Sequence, residues 1–178
     1  MPKIITISRE FSSGGRELGK RLAEELGIPC YDRQIIDMVA EKQGLDKTYV
    51  ANMSEKDIKV FYSSTIGRGF TSYNFGISQS LQIANAEHNL IKELASKGDC
   101  VIIGRAADVV LKEFNPLNLF VYADLESKIK RCRERSEENE PLTDRKIKNM
   151  CRDIDRCRAN YREIFSDTKW GQRESYDF

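Results

Sequence analysis

The sequence predicts an α/β chain: a doubly wound parallel sheet with helices on both faces. Three observations lead there. Cys100-Val101-Ile102-Ile103-Gly104 is an unbroken apolar run, suited to a central parallel strand buried on both faces. Ile4-Ile5-Thr6-Ile7 is a β-branched run of the same kind, and Leu119-Phe120-Val121-Tyr122-Ala123 is a third strand. Helical segments alternate with these runs, and that alternation implies βαβ units whose site lies at the carboxyl ends of the strands.

Taken in order, the first strand is followed by a small-residue turn, Ser12 to Gly15. A helix then carries Leu18, Leu22 and Leu26 at four-residue spacing. Gly27-Ile28-Pro29 closes it, and Cys30-Tyr31-Asp32 opens a short second strand. A helix from about Arg33 to Lys42 stops at Gly44. Asp46 to Lys59 reads as helical, whereas Ser63 to Ser78, rich in Gly, Ser, Thr and aromatics, reads as a loop. Residues 45–78 are therefore expected to form an insert. Gln79 to Lys97 returns to helical pattern, with Leu81, Ala84, His88, Ile91 and Leu94 or Ala95 on one face and Gly98 as its cap. Ala106 to Phe114 reads as a short helix broken by Asn115-Pro116. From Leu125 to about Asp167 the chain is helical and heavily charged, interrupted by the polar stretch Ser136 to Thr143.

A chain of 178 residues is expected to form one domain and to bury a core without disulfides. A net charge of +1 gives no global attraction for nucleic acid or a membrane surface. No apolar run approaches the roughly 20 residues that span a bilayer. Met1-Pro2-Lys3 leads straight into a strand, without a secretory apolar region. Cys30, Cys100, Cys132, Cys151 and Cys157 are odd in number and form no C-x-x-C pair, so they read as reduced thiols of a cytoplasmic protein rather than a metal site.

Strand, glycine turn and helix together aim backbone N–H groups and a positive helix end at an anion. Two frames compete for that loop. A literal G-x-x-x-x-G-K match runs from Gly14 to Lys20 but lacks the following Ser or Thr. It also places Gly19 and Lys20 in the second turn of a helix that the leucines start near Gly15 or Arg16. A phosphate loop begins directly after its strand, so the frame is Arg9 to Arg16. Gly15 then stands where the lysine belongs, and Arg16 stands where a magnesium-binding hydroxyl belongs. Ser12, Ser13, Gly14, Gly15 and Arg16 are the expected anion cradle, and Lys20 is an accessory cation one turn up.

The segment Ile7 to Glu17, then Tyr31-Asp32-Arg33, and Val101 to Asp108 form an ordered series. Tyr122-Ala123-Asp124, Asp155 to Tyr161, Lys169-Trp170-Gly171 and Tyr176-Asp177 continue it. On these landmarks the chain resembles the cytidylate kinase-like family, a branch of the phosphate-loop nucleoside monophosphate kinases. The resemblance implies ATP and Mg²⁺, small-molecule nucleotide partners and phosphoryl transfer to an acceptor such as CMP or dCMP. It implies a helical lid at about 131–158. It also places the acidic residue of the acceptor site at Asp32, and counting back from there lands on Gly15, again in the lysine's place. A final strand and closing helix, expected from the resemblance, have no counterpart before Phe178.

Phosphoryl transfer needs charge neutralisation and alignment more than covalent chemistry. The candidate catalytic cations are Arg16, Arg105 after the central strand, and Arg158. Arg131 and Arg135 lie four apart on one helical face and suit a lid over phosphates. The D-x-x-R spacing of Asp155 and Arg158 belongs, by the resemblance, to acceptor binding and the adjoining lid. Asp32 and Arg105 are the other acceptor-side candidates, although Asp32 would serve equally as a helix cap. Asp108 would either hold a metal-bound water or orient Arg105. The magnesium ligands are not legible. A non-catalytic nucleotide sensor on the same scaffold, or a kinase for another small metabolite, fits the missing lysine as well.

Overall fold

The computed structural model describes residues 2–55, 70–135 and 143–178, with side chains described outside 52–55 and 70–79. The β-branched run at the start forms β1 (Ile4–Arg9), and β2 (Cys30–Tyr31), β3 (Cys100–Ile103) and β4 (Leu117–Val121) complete a parallel sheet of order β2-β3-β1-β4. Ile4 pairs with Cys100 and Ile7 with Ile103 on one side of β1. On the other side Ile5 pairs with Leu117 and Arg9 with Val121.

Alternation of side chains along the strands assigns the two layers. Ile5, Ile7, Val101 and Ile103 pack with Ala23 of α1 (Gly15–Leu26). Ile4, Cys100 and Ile102 face the opposite layer. That layer holds α2 (Gln34–Gln43), α3 (Lys47–Glu55), α4 (Phe70–Ser96) and α5 (Ala107–Val110), through Ile35, Val39, Val50, Ile91 and Leu111 among others. The charged region folds as α6 (Leu125–Arg135) and α7 (Asp144–Glu163), the latter capped by Thr143, whose side chain accepts from the Lys146 amide. Cys132, Ile147 and Cys151 join these two helices, with Phe11 of the loop packed against them.

Three expectations are corrected. The insert at 45–78 contains α3 and the first turns of α4, so Phe70 onward is helix rather than loop; 56–69 lie outside the described residues. The leucine stripe of α1 is only in part its buried face: Leu22 packs against the sheet, but Leu18 and Leu26 are 44% and 52% exposed, and Gly15, Gly19 and Ala23 are the buried positions. A Cβ at Gly19 would stand 2.7 Å from Ile103 Cδ1 and 2.9 Å from Ile7 Cδ1. The second glycine of the literal motif is therefore a contact that lets helix meet sheet, not part of a phosphate cradle. Third, Asp32 does not cap α2. Arg33 holds the cap position without a side-chain hydrogen bond, and the Asp32 carboxylate faces two arginines.

At the outer edge of β4 the chain end begins another parallel pairing. The Phe178 amide donates to Asn118 O at 3.4 Å and the Phe120 amide to Phe178 O at 2.8 Å. Asp177 reinforces it by accepting from the Asn118 amide at 2.8 Å.

Candidate functional site

α1 leaves the end of β1 toward one face of the sheet, and α5 leaves the adjacent β3 toward the other. The crevice outside their carboxyl ends is the topological switch point where open α/β sheets bind ligands. The loop after β1 sits above it. Ser12 (φ 58°) and Gly14 (φ 92°) both adopt left-handed backbone, which turns the chain sharply into α1. The first-turn amides of α1 have no intrahelical acceptor and point toward the crevice with the positive end of the helix.

Side chains from distant elements fix this loop. The Phe11 amide donates to Asp155 Oδ1 of α7 at 2.5 Å, and the Ser12 hydroxyl donates to Lys128 O of α6 at 3.1 Å. The Ser13 hydroxyl turns back to Glu10 O at 2.9 Å. Lys128, nearly buried, ties Glu10 Oε2 at 2.6 Å and reaches Asp155 Oδ2 at 3.7 Å. Burial pushes the Asp155 carboxyl above its usual range, opposed by the Phe11 amide, Arg158 and Lys128. Arg158 Nη1 donates to Arg9 O at 3.1 Å and lies 3.5 Å from Asp155 Oδ1.

The expected site residues are mostly brought together, with different partners from those anticipated. Arg16 Nε lies 2.5 Å from Asp32 Oδ2 at the ends of the first two strand–helix units. Arg131 stacks over Gly14, where a Cβ would meet its Cζ at 3.1 Å, and it pairs with Glu17 at 3.2 Å; Arg135 reaches the same carboxylate at 3.4 Å. Lys20 is exposed on α1. Arg105, with left-handed backbone (φ 59°), is almost buried, and its Nη1 lies 3.3 Å from Oε1 of Glu87, which is completely buried. Asp108 does not orient Arg105: its Oδ2 accepts from Arg162 Nε at 2.7 Å.

Four participants escaped sequence reasoning: Arg9, Glu10, Glu87 and Lys128. Glu87 falls on the buried face of α4 beside Ile83 and Ile91, and Lys128 lies one turn before Cys132, so helical periodicity alone could have flagged both. Arg9 carried a weaker signal, a charged residue closing an apolar strand. Its guanidinium lies under the loop, 3.8 Å from Asp32. Burial, aided by Arg158, pulls its pKa down to about 9 while Asp32 opposes the change.

Magnesium, implied by the resemblance, finds no built shell. The hydroxyl position is occupied by Arg16, both loop serines are engaged by carbonyls, and no group of three His, Cys, Asp or Glu converges among the described residues.

Behind the crevice, His88 packs edge-on against Phe165 at 4.4 Å, and its Nε2 lies 3.3 Å from the Tyr161 hydroxyl, which donates to Glu87 Oε2 at 2.9 Å. Burial, then Lys92, lowers the His88 pKa from 6.5 to about 4. Between those values the unfolded chain binds more protons than the folded one, so stability is present above about pH 6.5 and is lost as pH falls toward 4. The expected loss is about 3 kcal/mol, and His88→Phe should flatten this part of a urea-unfolding pH series. An unchanged pH dependence in His88→Phe would show that the imidazole is not its source.

No helix among the described residues is long and apolar enough to cross a membrane. Among solved structures the chain is 29% identical to an uncharacterized protein from Eubacterium ventriosum, with a TM-score of 0.69 over 98% of this chain and 84% of that one. Shikimate kinase from Acinetobacter baumannii in complex with shikimate matches at 17% identity and TM-score 0.42, over 99% and 88% of the chains. TT1252 from Thermus thermophilus matches at 16% and 0.46, over 95% and 86%; these last two likenesses are too low to bear on function. No curated protein matches. The cytidylate kinase-like family model matches residues 4–178, so the strand, loop, crevice and arginine-bearing helices described above are those of a chain that belongs to the cytidylate kinase-like family.

Proposed function

We propose that this protein transfers the γ-phosphoryl group of ATP to a small acceptor, a nucleoside monophosphate such as CMP or dCMP. One observation supports the reading above the others. Arginines from three separate elements, Arg16, Arg131 and Arg158, converge on a glycine-turn loop at the switch point of the sheet. Backbone amides from Ser12 to Arg16 hold the donor phosphates, and Arg131 with Arg135 exchanges Glu17 for them as α6 and α7 close. Arg16 neutralises charge on the donor phosphates, Arg158 on the loop side, and Asp32 positions the acceptor. An acceptor phosphate oxygen, already anionic, forms the new P–O bond as the bridging P–O bond breaks. The electron pair leaves with ADP, and no proton need be removed. Positioning and charge supply the catalysis.

An ADP-release assay over a panel of nucleoside monophosphates and small alcohols tests this. Turnover with CMP or dCMP above the others is the expected result, and no release with any acceptor would reject it. A non-catalytic nucleotide-binding role is the second reading, favoured by Gly15 at the lysine position and by Arg131 and Arg135 being paired with Glu17. Arg16→Ala is expected to weaken ATP binding roughly 10-fold or more by calorimetry, because a charge-assisted contact is lost. Lys20→Ala, one turn further and exposed, should change it far less. A larger loss at Lys20 would restore the literal motif.

A further inference from the structure

The loop has no lysine at position 15, and the backbone explains why none fits. A Cβ there would stand 2.5 Å from Arg9 Cβ, a separation that non-bonded carbons do not reach, and 3.2 Å from Val121 Cβ. On this backbone only one of positions 9 and 15 can carry a side chain, and here position 9 does. The Arg9 side chain then runs across the strand ends to Gly104, where a Cβ would stand 1.8 Å from its Nη1. Glycines thus clear its path at root and tip. Among the described residues the tip has a single carboxylate, Asp32, at 3.8 Å and beyond hydrogen-bond reach, and that carboxylate is already held by Arg16. The charges of Arg158, Arg105 and Arg16 bear unfavourably on the same guanidinium, and only that of Asp32 favours it. A largely buried guanidinium that has five donors, stands among like charges and lacks a close anion is one half of an ion pair.

We infer that Arg9 is the phosphate-binding cation of this loop, relocated from the start of the helix to the end of the strand. Gly15 is then the space that relocation requires, not a loss of function. The ligand is a polyphosphate: the guanidinium fork engages two phosphate oxygens from beneath the loop, where a lysine would engage them from the helix. That this polyphosphate is ATP undergoing transfer rests on the kinase reading; the anion site does not.

Calorimetry with pyrophosphate and with ATP, on the full chain, separates the two. Arg9→Met, which keeps the stem and drops the charge, is expected to fold and to lose roughly 10- to 150-fold in pyrophosphate affinity. Arg9→Ala gives a second reading should the methionine variant melt early. Gly15→Lys alone should lower both the unfolding temperature and affinity, and Arg9→Gly combined with Gly15→Lys should recover most of both. Unchanged pyrophosphate affinity in Arg9→Met overturns the inference, as does Gly15→Lys binding more tightly than the parent chain. A parent chain that binds no pyrophosphate also overturns it. Arg9-dependent binding without ADP release for any acceptor keeps the inference and removes the kinase reading.

Discussion

Arg162→Ala is expected to destabilise the fold by about 3–5 kcal/mol, the loss typical of breaking a buried ion pair from one side. Arg162 on α7 donates through Nε to Asp108 Oδ2 at 2.7 Å, through Nη1 to Thr168 O at 2.7 Å and through Nη2 to Thr168 Oγ1 at 3.0 Å. Its guanidinium also lies over the Tyr176 ring, 5.5 Å from the centroid. One side chain therefore ties α5, α7 and the segment that follows α7. Asp108 is buried and its Oδ1 already lacks a hydrogen-bond partner, so removing Arg162 leaves the carboxylate wholly uncompensated. Arg162→Lys should recover only part of the loss, because an ammonium cannot supply three divergent donors in one plane. Urea unfolding checks both, and a loss below about 1 kcal/mol for the alanine variant would place it among ordinary surface changes.

Arg105→Ala should cost a similar amount, about 3–5 kcal/mol, for the same reason. The sequence marked Arg105 as a candidate catalytic and acceptor-side cation. The structure instead sets its Nη1 against a carboxylate with no exposure to solvent, Glu87, which also accepts from the Tyr161 hydroxyl. At about 2–4 °C per kcal/mol for a chain of this size, the melting temperature should fall by roughly 6–20 °C. Combining Arg105→Met with Glu87→Gln should restore most of it, since the amide keeps an acceptor for Tyr161 and no charge remains buried. An unchanged melting temperature together with a collapse in nucleotide affinity would return Arg105 to a direct role in binding.

These two arginines mark where sequence reasoning stops. The strands were legible because runs such as Ile4 to Ile7 and Cys100 to Ile103 are apolar on both faces, and only a central parallel strand accommodates that. The helix start at Gly15 was also legible, though the leucines indicated it for the wrong reason. Apolar periodicity registers large side chains, whereas the close face of α1 is made of Gly15, Gly19 and Ala23, whose value lies in what they lack. Charged residues were the hardest. Arg9 and Arg162 look like any other charge on a strand or helix, Glu87 and Lys128 are marked only by their place on a helical stripe, and the burial of all four depends on partners far along the chain. The turn from β1 into α1 lay in one continuous segment and was readable, whereas the buried side chains packed around it were not.

The position of β1 has a consequence for synthesis. It is the strand nearest the N-terminus, yet its neighbours β3 and β4 are residues 100–103 and 117–121. At a ribosomal rate of about 5–20 residues per second, its ladder partners follow on the order of ten seconds behind it. During that interval Ile4, Ile5 and Ile7 have no ladder to join, and α1 shields them little, because Leu22 is the one large apolar group on a contact face otherwise made of Gly15, Gly19 and Ala23. The nascent chain therefore exposes a short, uncharged β-branched segment with both edges unpaired, the kind of segment that chaperones bind and that aggregates when they do not. Loop closure across some hundred residues, rather than helix formation, then sets the pace at which the crevice and its arginines come into being.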